Sequence, residues 1–433
     1  MTNKKLFFLL FFSQFMLMCN MFAESTKSNL DSLYKYEIYG FVRNDFTFDS
    51  RKSIAAVGEL FYFIPYDVQM SANGKDINAI YSTRLLAVTT RFGFNFTSPV
   101  YNNNFQVSAK IETDFCGSAN YITLFRIRQA FVSLKWQHHN IIAGQTWHPM
   151  TGELIPNIVS LNTGAPFNPF SRAPQLRYNA LINNVTISAA AIYQLQYPSP
   201  GPEGNSTNYQ IFNGLPEFYF GIAYHNKYMK IGAGVEYLNI SPRKTVTDEF
   251  DNIYKVTDRV SSFNSQLYLQ LSGKGIDFKI KSVYGGNMGH LLMMSGYGAT
   301  ALLPDKLSYE YTPINQSTTW ATLAYTYSSK KHTITTTVLG GYIKNTGATK
   351  DLLADKVYYR GATNFDDIFR IAPSIMYQYD KNLNVGLEYE YTGVHYGDLN
   401  SNYTVSNPHL VSNNRLYVIL VYKFNHLFTS KRK

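Results

Sequence analysis

Past Ala23 the sequence holds nothing approaching the ~20 consecutive apolar residues that a membrane helix needs, which excludes a bundle of membrane-spanning helices. Cysteine is almost missing. Cys19 falls in the N-terminal apolar segment and Cys116 stands alone after it, so no internal disulfide framework can form. Charge is also scarce, at 16% of residues, while 35 Tyr and 30 Phe make the chain unusually aromatic. A soluble protein of that composition would need a very large core, yet hardly any stretch is continuously apolar. Tyr at this frequency suits surfaces that are half wet and half greasy, because the ring is apolar and the hydroxyl needs water or a partner.

The first 23 residues are the exception. Lys4 and Lys5, the run "LFFLLFFSQFMLM" and a close on the small residue Ala23 read as a cleaved export signal, 1–23. Met18 is too bulky for a lipid-attachment signal at Cys19. Removing the segment leaves 37 basic against 29 acidic residues, a formal +8. The basic and aromatic residues are spread along the chain instead of forming one patch, so nucleic acid is not an expected partner.

After a short leader, 24–35, segments of strict apolar/polar alternation recur to residue 424. In "FQVSAKIETDF", Phe105, Val107, Ala109, Ile111, Thr113 and Phe115 share one face, and Lys110, Glu112 and Asp114 the other. Sixteen such strands are expected: 36–49, 82–97, 103–116, 121–137, 140–148, 175–182, 185–196, 216–226, 228–239, 262–272, 276–287, 318–329, 331–343, 368–380, 382–394 and 414–424. Their connections alternate long and short, apart from one short exception at "GSAN". Short turns such as "NN", "NK" and "GKG" at one end and long loops at the other are the order of an even-stranded outer-membrane barrel. The expectation is an all-β, transmembrane antiparallel β-barrel over 36–424, followed by a basic tail, 425–433. Its outer face would meet outer-membrane lipid and lipopolysaccharide. Sixteen strands enclose a lumen too wide for side chains to fill, so an aqueous pore is expected.

Parity assigns the lumenal residues. In "YGFVRNDFTF" Arg43 and Asp45 oppose Val42, Phe46 and Phe48, and the same alternation points Arg91, Lys110, Glu112 and Arg177 inward. In "LFRIRQAFVSLKW" Arg126 and Arg128 fall in the apolar phase of Ala130, Val132 and Leu134. A bulge is inferred there, since a lipid-facing Arg at mid-membrane costs about 2–4 kcal/mol. Arg43, Arg91, Arg126, Arg128 and Arg177 would then form a basic wall that draws anions inward by focusing the field. Pro373 is expected at a bulge or strand end.

The third long loop, in "GQTWHPMTGELIPNIVSLNTGAPFNPFSRAPQLRYN", carries Leu154, Ile155, Ile158, Val159 and Leu161, which a solvated loop would not need. Folding into the barrel would bury them and narrow the pore. Its first two dozen residues hold one acid, Glu153, and no Asp, which favours anions.

Together, "GFVRND", "RIRQAFVSL", "AGQTWHP" and "RAPQLRY" resemble the DcaP-like family of trimeric outer-membrane porins, mainly over the first 180 residues. The resemblance implies a sixteen-stranded homotrimer admitting small, often anionic solutes such as dicarboxylates. Carried onto this sequence, its motif positions are Gly40, Arg43, Asp45, Arg126, Arg128, Gln145, Thr146, Trp147, Arg172 and Arg177. Members can carry an N-terminal coiled coil, for which residues 24–35 are too short.

No enzyme, cofactor or metal motif is recognisable: the nine histidines lack ligand spacing to a Cys or acid, and "SGKGID" is not a phosphate-binding loop. The rival to a porin is a surface adhesin or interaction barrel, with loops 240–261 and 288–317 as its contact surface.

Overall fold

The computed structural model describes residues 33–117, 121 and 123–431. The expected export signal and most of the leader lie outside the described residues. Sixteen antiparallel wall strands close into one barrel. They are β1 (Leu33–Asp49), β2 (in two pieces, Ser82–Leu86 and Arg91–Thr97), β3 (Gln106–Asp114), β4 (Arg126–Trp136), β5 (His139–Trp147), β6 (Arg172–Ile182), β7 (Val185–Ile192) and β8 (Glu217–His225). The second half comprises β9 (Met229–Ile240), β10 (Val260–Gly273), β11 (Ile276–Gly286), β12 (Tyr309–Ser328), β13 (His332–Ala348), β14 (Phe365–Tyr379), β15 (Leu383–Leu399) and β16 (Val405–Lys431). The seam is β1 against β16, paired from Leu33 with Lys431 to Asp49 with Arg415. Closure leaves no bare strand edge, which lipid requires because it cannot hydrogen-bond backbone.

The alternation read from sequence is realised as an inverted protein. On β10, Phe263 and Leu267 are 74% and 65% exposed while Asn264 and Gln266 are 1% exposed. Apolar side chains face outward all round the barrel and polar ones are enclosed, the reverse of a soluble domain. On β3, Ile111 points out, and Glu112 and Asp114 point in and are buried.

Strand boundaries differ from expectation where pairing outlasts pattern. Among the described residues the barrel strands run from Leu33 to Lys431, beyond the expected 36 and 424. Residues 425–431, expected as tail, continue β16 because Leu33–Tyr39 offers them a ladder. Near the seam Gly40 makes room for the Phe424 ring, which would come 2.6 Å from any Cβ there. Pro373 sits inside β14 without a register change. The ladder to β15 lapses at Ala372 and Pro373, which absorbs the missing amide hydrogen.

Candidate functional site

Strands β1 to β6 are neighbours in the barrel, so their inward side chains form one continuous wall. The register between β3 and β4 shifts after Glu112, leaving Arg128 as an extra residue. That is the inferred bulge. It turns both Arg126 and Arg128 inward, where Arg126 grips Asp114 with Nε at 2.7 Å and Nη2 at 3.2 Å. Arg128 donates from Nε to Glu112 at 2.9 Å and from Nη1 to Asp114 at 2.8 Å. Glu112 also accepts from the Tyr39 hydroxyl and Gln129, and has Lys110 Nζ at 3.8 Å and Arg91 Nη1 at 3.9 Å. Four cations therefore share two carboxylates. Arg43 donates to Asp45 at 2.6 Å, to the Tyr417 hydroxyl, and to the Val159 carbonyl of the third loop.

Other expected site residues are placed differently. Arg172 is buried between the Trp147 and Phe170 rings and donates to Gln196 and the Tyr197 hydroxyl, with Nη1 unpartnered. Arg177 donates to Gln175 and the Trp147 carbonyl. Neither forms an ion pair with a described carboxylate. Gln145 is spent on the wall itself, donating to the carbonyls of Ile127 and Arg128 at the bulge. Glu153 is not isolated in its loop: Lys230 lies 3.2 Å away and the Tyr268 hydroxyl donates to it.

The third loop crosses the lumen. Near its start Lys281 on β11 donates to the Met150 and Leu154 carbonyls, and further on Lys279 donates to Ile155 and Asn157. Its far side reaches β15, where Glu388 accepts the amides of Val159 and Ser160. Two further inward loops were not expected from sequence. The first loop carries a hairpin, Ser53–Ala56 with Phe61–Pro65, whose residues Leu60 to Ile64 are buried inside the barrel. The run "LFYFIP" in a loop is the signal that could have found it. In the sixth loop Met288 and Leu291 to Met294 are buried, and the Leu291 carbonyl accepts the Phe170 amide.

These loops divide the lumen. Towards the loop end, a cavity of about 590 Å³ is bounded by Arg126, Arg128, Arg360, Tyr197, Phe61 and Phe170. Among the described residues the guanidinium of Arg360, from the seventh loop, donates only to the carbonyls of Gly289 and Pro198, and burial pushes it down to about 10. Towards the turn end, a vestibule of about 570 Å³ is bounded by Glu37, Tyr39, Lys110, Lys381 and Lys423.

A closed sixteen-stranded barrel with short turns at one end, long loops at the other and a third loop folded across the lumen is the porin fold. The structure is similar to that of the outer-membrane channel DcaP of Acinetobacter baumannii, with a TM-score of 0.63 and 18% identity over 93% of this chain and 100% of that one. An anion-selective porin from Comamonas acidovorans gives a TM-score of 0.53 at 9% identity, over 90% of this chain and 100% of that one. OmpT of Vibrio cholerae gives 0.52 at 11%, over 93% and 100%. No protein-family profile and no curated protein sequence matches the chain. The fold implied by the resemblance to DcaP-like porins is the fold observed.

Proposed function

We propose that the protein forms a water-filled outer-membrane channel for passive diffusion of small hydrophilic solutes, with a preference for anions such as dicarboxylates. One observation carries the preference. Along β2 to β6, the ion pairs of Arg91, Lys110, Arg126 and Arg128 involve only Glu112 and Asp114 among the described residues, and Arg172 and Arg177 form none, so the wall keeps a net positive charge. Fixed cations in a low-dielectric passage concentrate anions and repel cations. Assembly as a homotrimer in contact with lipid and lipopolysaccharide belongs to the same reading, supported by the outward aliphatic and aromatic belt. The rival reading, a surface adhesin, relies partly on the sixth loop, whose apolar stretch Met288–Met294 is turned inward.

The test is the reversal potential of the purified barrel in a planar bilayer under a salt gradient. Arg177→Gln combined with Arg172→Gln removes the two arginines of this wall that form no ion pair with a described carboxylate, and should move the potential toward cations. The shift should shrink at high salt, because the Debye length falls from about 10 Å at 0.1 M to about 3 Å at 1 M. A double variant with unchanged anion preference at low salt would reduce the reading to an unselective pore.

A further inference from the structure

Towards the loop end of the barrel, on the side away from the basic wall's acids, two histidines and two glutamates converge. His148 is the first residue of the third loop, Glu217 opens β8, Glu236 lies on β9, and His290 comes from the buried turn of the sixth loop. None of the four side chains is more than 2% exposed. Ligand atoms of His148, Glu217 and Glu236 all lie within 4.8 Å of one another. His290 Nε2 stands 3.3 Å from Glu217 Oε2 and 3.1 Å from Glu236 Oε1.

Charge does not balance inside this cluster. Among the described residues no Lys or Arg pairs with either glutamate; their only close cationic candidates are the imidazoles. His148 is fixed in one tautomer, because its Nδ1 accepts the Met150 amide at 3.1 Å. Its proton therefore sits on Nε2, which donates to Glu217 Oε1. A neutral His148 leaves His290 alone against two buried carboxylates. Hydrogen bonding is incomplete as well: among the described residues Glu236 Oε2 and His290 Nδ1 are buried without hydrogen-bond partners, and Glu217 Oε2 has only the 3.3 Å contact to His290 Nε2. Polar atoms so enclosed are ordinarily satisfied.

We propose that His290 Nε2, Glu217 and Glu236 form a binding site for one divalent first-row transition-metal ion, with zinc the best match, and that His148 orients Glu217 from behind. A tetrahedral zinc shell with bonds of about 2.0–2.1 Å places neighbouring donor atoms about 3.3 Å apart; the two separations from His290 Nε2, 3.1 and 3.3 Å, match this, and donor atoms of the two glutamates lie within 4.8 Å of each other. One imidazole and two carboxylates suit zinc and its neighbours better than calcium or magnesium, which take all-oxygen shells. The outer partners of the two glutamates are in place. His148 holds Glu217, and Asn264 Nδ2 donates to Glu236 Oε1 at 3.1 Å. Such contacts orient the ligating atoms. The ion would tie the wall at β8 and β9 to the sixth loop directly and to the root of the third loop through His148, bracing the constriction from one side.

The refolded full-length barrel, stripped with chelator, incubated with zinc and passed through gel filtration, should retain about one zinc per chain by elemental mass spectrometry. Cobalt in its place should give the visible absorption of a tetrahedral site. Zinc should also raise the unfolding temperature relative to chelator. Glu217→Gln with Glu236→Gln should abolish retention, and His148→Ala should weaken it about 10- to 100-fold. Wild-type barrel that keeps no zinc and gives no cobalt spectrum would overturn the proposal and leave a proton-sharing cluster. A folded double variant that keeps as much zinc as wild type would overturn it too.

Discussion

Glu388 Oε2 accepts the Val159 amide at 2.7 Å, so a carboxylate on the fifteenth strand holds the middle of a loop rooted between the fifth and sixth. Its other oxygen takes the Ser160 amide at 3.1 Å. Each such hydrogen bond is worth about 0.5–1.5 kcal/mol. Glu388→Ala should free this stretch and give larger, noisier single-channel conductance. Currents indistinguishable from wild type would mean that Lys279, Lys281 and Arg43 hold the loop unaided.

Arg126→Gln with Arg128→Gln should act on stability as well as on selectivity. Asp114 would lose both arginine partners, and Glu112 its shortest one. Removing one side of a buried pair costs about 3–5 kcal/mol because the other charge stays enclosed. Thermal unfolding in detergent should fall for this double variant and change little for Arg177→Gln. Equal unfolding temperatures would contradict the pairing described.

Cys116 should be inert in the folded barrel. Its Sγ is buried just beyond β3, and burial, aided by nearby Asp114, pushes the thiol up to about 11. At pH 8 roughly one thiol in a thousand is then thiolate, the reactive form. Maleimide should label only boiled protein, and rapid labelling of the unboiled form would count against the placement.

Gly40→Val should disturb the seam. The new side chain would meet the Phe424 ring, and overpacking of this kind typically costs about 1–3 kcal/mol. The compact, fast-migrating form in unboiled SDS gels should become less abundant, while Gly340→Val, at a position with open space and ordinary backbone, should lose far less of it.

Much of the barrel was legible because lipid enforces alternation on every wall strand. The bulge at Arg128 was legible for the same reason, since two arginines in the apolar phase demanded an explanation. Where no phase was at stake the reading stopped short. Leu427 and Phe428 are both exposed, so nothing in their pattern marks them as strand, and only pairing with β1 does. The hairpin of the first loop needed a partner inside the barrel before "LFYFIP" could be read as buried. His148, Glu217, Glu236 and His290 lie on separate elements up to 142 positions apart, so no local spacing could announce them.

The inward hairpin of the first loop also ties the start of the barrel to its last strands. Its carbonyls at Glu59 and Phe63 are held by Arg415 and Arg370, which follow them by 356 and 307 positions. Without β14 and β16 these carbonyls have no arginines to meet and the hairpin has no floor. A segment near the beginning thus takes its final contacts from strands near the end. A half-built barrel would have an outer mouth wider than the finished one, and joining the first strand to the last completes both the wall and the narrowing within it.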